Sequence, residues 1–587
     1  MAKWFVSTKK ADFNKIGEKY QISPVLARII RNRDIIEECE ISKYLHGTLE
    51  DVYDGKFLKD MDKAVAIIRD KIKKNKRIRV IGDYDVDGIC ASYILKKGLE
   101  ICGAKVDIVI PHRMKDGYGI NEQLIQEAYE DGIDTIVTCD NGIAAFAQIE
   151  YAMSLGMTCI VTDHHEVPYE MVEGEKQYQL PPADAVIDPK QEDCTYPYKN
   201  ICGGVVAFKV VNKLWEGLSV SEEDRREILE FAGIATVCDV MELLDENRIL
   251  VKEALKSMSH SANLGLRSLI RVHDLNPAKL SAHHIGFVLG PCFNATGRLD
   301  TAARTLELLQ CQNEREGILL AAELKRLNES RKEMTEAGVE EAIVKIGEEN
   351  LEKDAVMVVY LPDCHESLAG IIAGRLREKY YKPVFVLTKG EECVKGSGRS
   401  IESYHMYEEL NKCKELFLKF GGHKLAAGLS LEEKNIEILR RTLNQNCTLT
   451  ADDMEEKILI DVPMPMSYVT MDFLKELELL EPFGTGNPKP VFAQKDLKFL
   501  SMRIMGKNRN MAKFSVEDEQ GNRFSMVCFR HLEKFLEEVG KKYGQEILDS
   551  FMSQNRNSGV KMSVIYYPSL NEYMEKREIQ YVMQNWS

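Results

Sequence analysis

No run in this 587-residue chain approaches the roughly 18 to 20 uninterrupted apolar residues of a membrane-crossing helix. A helical membrane protein is therefore not expected. The first ten residues, Met1 to Lys10, carry no long apolar stretch, so no secretory signal is expected there. None of the 15 cysteines falls in a C-x-x-C pair. An odd, scattered set in a long chain points to reduced thiols in a cytoplasm, not to disulfides or zinc. Internal repeats and low-complexity segments are also missing. Positive charge is in short supply: 78 Lys and Arg stand against 93 Asp and Glu, a net charge of −15. Phosphate neutralisation supplies most nucleic-acid affinity, so any such binding would need a local basic groove on an acidic protein. What remains is ordinary for a globular chain, with 44% hydrophobic and 29% charged residues. Its length allows three or four domains.

The chemistry concentrates at Asp163-His164-His165, which follows the apolar run Thr158 to Thr162. Two histidines beside an aspartate at a strand end suit a divalent metal that accepts mixed oxygen and nitrogen ligands. Three acidic clusters accompany them, each read at the end of a similar strand. Asp83, Asp85 and Asp87 follow residues 77–81, where alternate side chains of an extended chain would share a face. Asp140 follows residues 135–139, and Asp239 follows Thr236-Val237-Cys238. Any single aspartate here could be a turn residue or a helix cap. Gathered and buried without partners, these carboxylates would cost several kcal/mol, and a bound cation removes that cost. Two cations roughly 3.5–4 Å apart would suit phosphodiester hydrolysis. Cys139 and Cys238 precede proposed ligands but read as small buried residues.

Residues 1–45 read as helices with a short lead-in. A helix from Met61 closes on the basic run 71–77, read as cations at a helix C-terminus. Strands near 77–83, 105–110, 134–139, 158–162 and 184–187 alternate with helices, which implies a mostly parallel sheet covered on both sides. Sites in such sheets gather at the carboxyl ends of strands. Residues 301–346 hold no proline and two glycines, so they read as one long helix or two joined pieces, linking two lobes across a cleft. A second α/β unit follows. It carries Gly396-Ser397-Gly398-Arg399-Ser400, where glycines could admit an anion to the backbone and arginine could add a fork, or which could be a plain Gly-rich turn. From about 455, short strands and turns suggest a small barrel.

The motifs Asp83 to Gly88, Thr138 to Ile143, Val161 to His165 and the later Asp239 resemble, in order, the signatures of the DHH phosphoesterase superfamily. Gly396 to Ser400 and Gly421 to Gly428 resemble those of its companion DHHA1 domain. Gly117-Tyr118-Gly119, Asn294 to Arg298 and Glu481 to Pro488 fit the bacterial single-strand exonucleases of that superfamily. The resemblance implies an α/β, two-lobed fold: a DHH lobe on a mostly parallel sheet, a DHHA1 lobe joined by a long helix, and a C-terminal OB-like barrel suited to single-stranded nucleic acid. It implies boundaries at 1–50, 51–300, 301–350, 351–452 and 453–587. It implies a 5′-to-3′ exonuclease on single-stranded DNA, acting in repair and recombination with Mn²⁺ or Mg²⁺, two ions together. Asp85, Asp87, Asp140, His164 and Asp239 match metal ligands. Asp83, Asp163 and His165 match supporting, bridging or substrate-contacting groups.

Ser397 and Arg399 would help hold the 5′ end, with Gly398 between them also counted as substrate-binding. Asn294, Arg298, Arg113 and Tyr118 match other DNA-contacting positions, though Tyr118 could equally pack in a core. His423 would orient a phosphate or cap a helix. Implied partners are a single-stranded-DNA-binding protein and a RecQ-type helicase, with a monomeric protein in the cytoplasm. Cys292, Asp188 and Gly374 depart from the usual residues, which bears on substrate affinity more than on metal chemistry. Two other readings stay open: a DHH hydrolase acting on short RNA or other nucleotides, and a non-catalytic scaffold. The intact acidic set argues against the scaffold.

Overall fold

The computed structural model describes residues 2–112, 119–299, 301–506, 509–553, 559–573 and 576–587. Arg113 and Tyr118 lie outside the described residues. The chain forms two units, one of residues 48–455 and one combining 1–47 with 456–587.

In the larger unit, short Val- and Ile-rich runs become strands buried on both faces. The sheet order is Lys105–Val109, Arg77–Ile81, Thr135–Cys139, Thr158–Thr162 and Ala185–Ile187, and every pairing is parallel. One face packs Ile78, Val80, Val137 and Ile160 against Val205, Val210 and Phe231. The other packs Ile81, Ile136 and Val161 against Ile125 and Ile149. All five carboxyl ends therefore open on one edge. The basic run is used in ion pairs, with Lys71 and Lys76 reaching Asp134 at 2.5 and 3.2 Å.

The stretch read as one or two helices is two: Ala303–Leu309, then Glu314–Glu348. Asn313 starts the second, its side chain accepting from Glu316 N–H at 2.9 Å. Its 35 residues span about 52 Å at 1.5 Å per residue. Ala321 and Leu324 pack in the first lobe's core, and Ala342 and Ile346 in the second's. The second lobe is a five-stranded sheet ordered Phe417–Gly422, Ala426–Leu431, Val394–Arg399, Val384–Lys389, Met357–Tyr360.

In the smaller unit, Lys3–Val6 pairs in parallel with Lys457–Ile460. Five strands close an OB-like barrel, because Phe492–Met505 pairs with both Met511–Glu517 and Lys561–Tyr573. The Glu481 to Pro488 motif is held from within. Buried Asn487 donates to Leu480 and Pro482 carbonyls at 2.8 and 2.7 Å and accepts from the Tyr44 hydroxyl at 2.8 Å. Among the described residues no helix is long and apolar enough to cross a membrane.

Candidate metal centre

Three neighbouring strands deliver the acidic groups to one place. After Arg77–Ile81 the chain turns tightly, and a Cβ at Gly88 would lie 2.5 Å from the Asp83 carbonyl oxygen. Asp85 caps the Val86–Ile101 helix, accepting from Gly88 N–H at 3.1 Å. Asp83, Asp85 and Asp87 thus converge through a strand–turn–helix path and not by strand alternation, because the strand has ended at Ile81. Asp140 follows Thr135–Cys139 in a left-handed conformation, φ 59°. Asp163 follows Thr158–Thr162. Asp239 corrects the reading as a strand end: it caps the C-terminus of the helix Glu222–Cys238. Helical packing across Ile228, Phe231 and Ala235 overrides the β-like look of Thr236-Val237-Cys238.

Asp163 is a buttress. One oxygen accepts from the backbone N–H groups of His164 and His165 and from the His165 ring, at 2.8, 3.2 and 2.7 Å. The other accepts from Ile143 N–H at 2.9 Å. Burial would raise this carboxyl, but the hydrogen bond and charge of His165 hold it below the usual range. Burial likewise opposes charge on His165, yet Asp163 lifts it to about 9.

His164 is different. Burial keeps its ring below the ordinary value, so it is neutral at pH 7. Both ring nitrogens are buried without a hydrogen-bond partner. Nε2 lies 3.0 Å from Asp140, 3.5 Å from Asp87 and 3.7 Å from Asp239. A lone pair aimed among three carboxylates fits a cation between them. Burial, then the charges of Asp87 and Asp85, push Asp140 well above the carboxylate range and Asp239 up to about 8. Burial and Asp87 raise Asp85.

Among the described residues three groups have ligand atoms mutually within 4.8 Å: Asp83 with Asp85 and Asp140; Asp87 with His164 and Asp239; Asp140 with His164 and His165. Asp140 and His164 are each shared by two groups, so neighbouring ions could be held side by side. Divalent ion binding predicts a thermal shift: at about a hundred times its dissociation constant Mn²⁺ adds about 2.7 kcal/mol. Scanning calorimetry should show an upward shift that chelator reverses; identical melting with and without Mn²⁺ would count against the site.

Three residues had no role assigned from the sequence. Gly203 and Gly204 open the helix Gly203–Leu214, and their N–H groups donate to the two oxygens of Asp87, both at 2.7 Å. The helix N-terminus fixes and steadies that charge. The only signal was a glycine pair before an apolar run. Asn141 was also missed. It is buried and donates to the Ile81 and Cys139 carbonyls at 3.1 and 2.9 Å, tying two strand ends together.

Family models match residues 77–236 (DHH family, N-terminal domain), 353–448 (DHHA1 domain) and 460–585 (RecJ OB domain). The chain is 31% identical over 588 residues to the single-stranded-DNA-specific exonuclease RecJ of Bacillus subtilis (strain 168), covering 99% of this chain and 70% of that protein. The chain belongs to the RecJ family. It is 30% identical to RecJ of Escherichia coli (strain K12), covering 96% of both. A crystal structure of RecJ from Thermus thermophilus in complex with Mn²⁺ matches with a TM-score of 0.80 and 26% identity, over 100% of this chain and 79% of that one.

The other RecJ-like positions in this chain fall in two places. Asn294 and Arg298 lie on the helix Gly290–Leu299, brought against the acidic turn where a Cβ on Gly297 would sit 2.7 Å from the Tyr84 carbonyl. Arg298 also donates to the Ser367 carbonyl of the second lobe at 2.6 Å. Ser397 and Arg399 share one face of Val394–Arg399, and Arg399 donates to Ser397 Oγ at 3.2 Å. Gly398 corrects the anion-cradle reading. That strand is paired on both sides, and a Cβ on Gly398 would lie 2.6 Å from the Phe385 ring. Its glycine serves core packing. His423 is exposed in the turn between Phe417–Gly422 and Ala426–Leu431, so it caps no helix. Asp188 lies nearer the metal cluster than its motif implied: it is fully buried after Ala185–Ile187, and burial with the charge of Asp163 raises it to about 8.

Proposed function

We propose that this protein is a metal-dependent exonuclease that degrades single-stranded DNA from its 5′ end to mononucleotides, in DNA repair and recombination. The observation that carries the reading is the convergence of Asp83, Asp85, Asp87, Asp140, His164 and Asp239 on one edge of a parallel sheet. Asp85, Asp87, Asp140, His164 and Asp239 are the metal ligands, with Asp83 and His165 completing the groups and Asp163 orienting both histidines. Mn²⁺ fits this mixed oxygen and nitrogen set, with Mg²⁺ as a substitute. Bound divalent ions supply activation of water and neutralise charge on the phosphodiester.

The protein's own groups do the rest. The Gly203 and Gly204 amides fix Asp87. His165, held charged by Asp163, can steady a phosphoryl oxygen. Ser397 and Arg399 hold the 5′ end, with Arg298, Asn294 and His423 beside the strand's path. Partners in this reading are single-stranded DNA, a single-stranded-DNA-binding protein and a RecQ-type helicase, met by a monomer in the cytoplasm.

Digestion of 5′-phosphorylated single strands, duplex and short RNA with Mn²⁺, Mg²⁺ or chelator tests the proposal. Mononucleotides should appear from the 5′ end of single-stranded DNA with metal alone. A preference for oligoribonucleotides would replace it with the short-RNA phosphodiesterase. Inertness on every substrate would favour the scaffold.

A further inference from the structure

We infer that Phe287 is a nucleobase-stacking residue, which receives the strand on the 3′ side of the bond that the proposed exonuclease cleaves. This rests on that functional reading and deepens it, by assigning a stretch of the strand's path beyond the metal centre.

Residues 282–299 form one helical run: Ala282–His284, a wider π-helical turn at Ile285–Leu289, then Gly290–Leu299. Such turns recur at functional sites. Ile285, Leu289, Cys292, Phe293 and Thr296 are buried along one side of the run. On the other side His283 and Phe287 are exposed, and Asn294 and Arg298 partly so. Steps of four, seven and four residues return side chains to nearly the same face of a helix. Phe287 therefore shares a stripe with Asn294 and Arg298, the positions set beside the strand's path.

Contacts along the run place it against the metal centre. At its C-terminal end Arg298 donates to the Ser367 carbonyl of the second lobe at 2.6 Å. A Cβ on Gly297 would lie 2.7 Å from the Tyr84 carbonyl oxygen, in the acidic turn. One on Gly290 would lie 2.4 Å from the sulfur of Cys238, the residue before Asp239, and one on Gly286 would lie 3.5 Å from Val237. From Arg298 back to Gly286 the helix thus runs from the second lobe, past the acidic turn, to Asp239. Phe287 stands about 16 Å from Arg298 at 1.5 Å per residue, at the end remote from the second lobe. With the 5′ end held by Ser397 and Arg399 of that lobe, a strand crossing the metal centre reaches Phe287 with its nucleotides 3′ of the cleaved bond.

The surface there suits bases on a phosphate chain. Phe287 is 68% exposed, and no other Phe, Tyr or Trp among the described residues is as exposed. Its ring is ordered all the same. His283, one turn back, stacks on it with centroids 4.7 Å apart and planes 29° apart. One π-face is backed and the other is left to solvent. Val240, directly after Asp239, is 67% exposed, so apolar surface also borders that ligand. Residues 275–299 hold no aspartate or glutamate, in a chain with 93 acids for 78 bases. A polyanion can therefore lie along this stripe without facing a carboxylate on it. Aromatic rings in such grooves stack on any base, because every base has a π-face.

The test compares Phe287→Leu and Phe287→Trp with the parent, all full-length. Binding of a fluorescent 5′-phosphorylated oligothymidylate is measured with chelator present, across a salt series, together with melting temperature. Phe287→Leu should weaken binding about tenfold, and Phe287→Trp should restore it. The salt slope should stay the same, because no phosphate contact is lost. Two further strands locate the contact. Without its 5′-terminal base alone, the strand should still distinguish parent from Phe287→Leu about tenfold. Without the bases 3′ of the first nucleotide, it should bind both proteins alike, which marks the shared interaction. The melting temperature of Phe287→Leu should not fall, since the ring is exposed. Unchanged affinity would overturn the inference, and so would an equal loss on strands with and without those bases. Affinity lost together with a lowered melting temperature would mark a structural ring and overturn it too. A parent that self-associates, with Phe287→Leu monomeric and its affinity intact, would give this face to a second copy instead. If the parent neither binds nor degrades single strands, the exonuclease reading fails; a normal Phe287→Leu in an active parent defeats the inference alone.

Discussion

Replacing Asp140 removes the metal-dependent nuclease activity, by about 10³-fold or more, while the fold persists. That factor corresponds to about 4 kcal/mol of transition-state stabilisation. Asp140 belongs to two of the three ligand groups found among the described residues, so its loss breaks both of those and leaves only Asp87, His164 and Asp239 intact. Stability should not follow activity down. Burial and the charges of Asp87 and Asp85 already disfavour its ionised form, so neutralising it relieves repulsion. Backbone conformation decides the best variant. Asp140 has φ 59°, where alanine is strained by roughly 1–2 kcal/mol and asparagine is tolerated. Asp140→Ala should therefore be inactive and slightly less stable; Asp140→Asn should be inactive and melt no lower than the parent without metal. Turnover of a labelled single strand and calorimetry with and without Mn²⁺ read both. Activity within tenfold of the parent in Asp140→Asn would remove Asp140 from the metal centre.

Gly203→Ala should lower turnover about 10²-fold, although Gly203 has no side chain to offer the reaction. A Cβ there would lie 2.8 Å from Asp140 Cβ and 3.0 Å from Asp140 Oδ1, closer than such atoms pack. The helix N-terminus must shift, and with it the N–H groups that hold both oxygens of Asp87. Displacements of this kind near reacting groups cost about 10²-fold, and overpacking costs about 1–3 kcal/mol of stability. Gly204→Ala separates the two effects. Its Cβ would meet Ala235 Cβ at 2.5 Å and Asp87 Oδ1 only at 3.1 Å, so it should lose stability more than turnover. The Mn²⁺ dependence of each variant checks the assignment: Gly203→Ala should need more metal. Parent-like turnover and metal dependence in Gly203→Ala would mean that the helix N-terminus does not position Asp87 and Asp140.

The acidic residues were legible because their chemistry is written in residue types. The strands that carry Asp140 and Asp163 were legible because parallel strands buried on both faces read as short apolar runs. Asp239 was placed on the wrong element because three β-branched or small residues look alike in a strand and in a buried helix end. The contribution of Gly396 and Gly398 was misread for a related reason. Glycine before and after a serine suits an anion loop, and equally suits a strand against which Leu387 and Phe385 pack closely. The joining helix was visible as a stretch without breakers, but which of its side chains face a lobe junction was not.

By itself the sequence determined the ligand types, the alternation that makes a parallel sheet, and the ordered motifs that mark the family. The tertiary structure alone decided how the groups meet. Asp85 is at once a helix cap and a member of the metal cluster, burial keeps His164 neutral while Asp163 keeps His165 charged, and a glycine pair more than a hundred residues away in the chain fixes Asp87. The reason is physical: pKa, burial and the direction of a lone pair depend on neighbours in space, and no local pattern of residues encodes them.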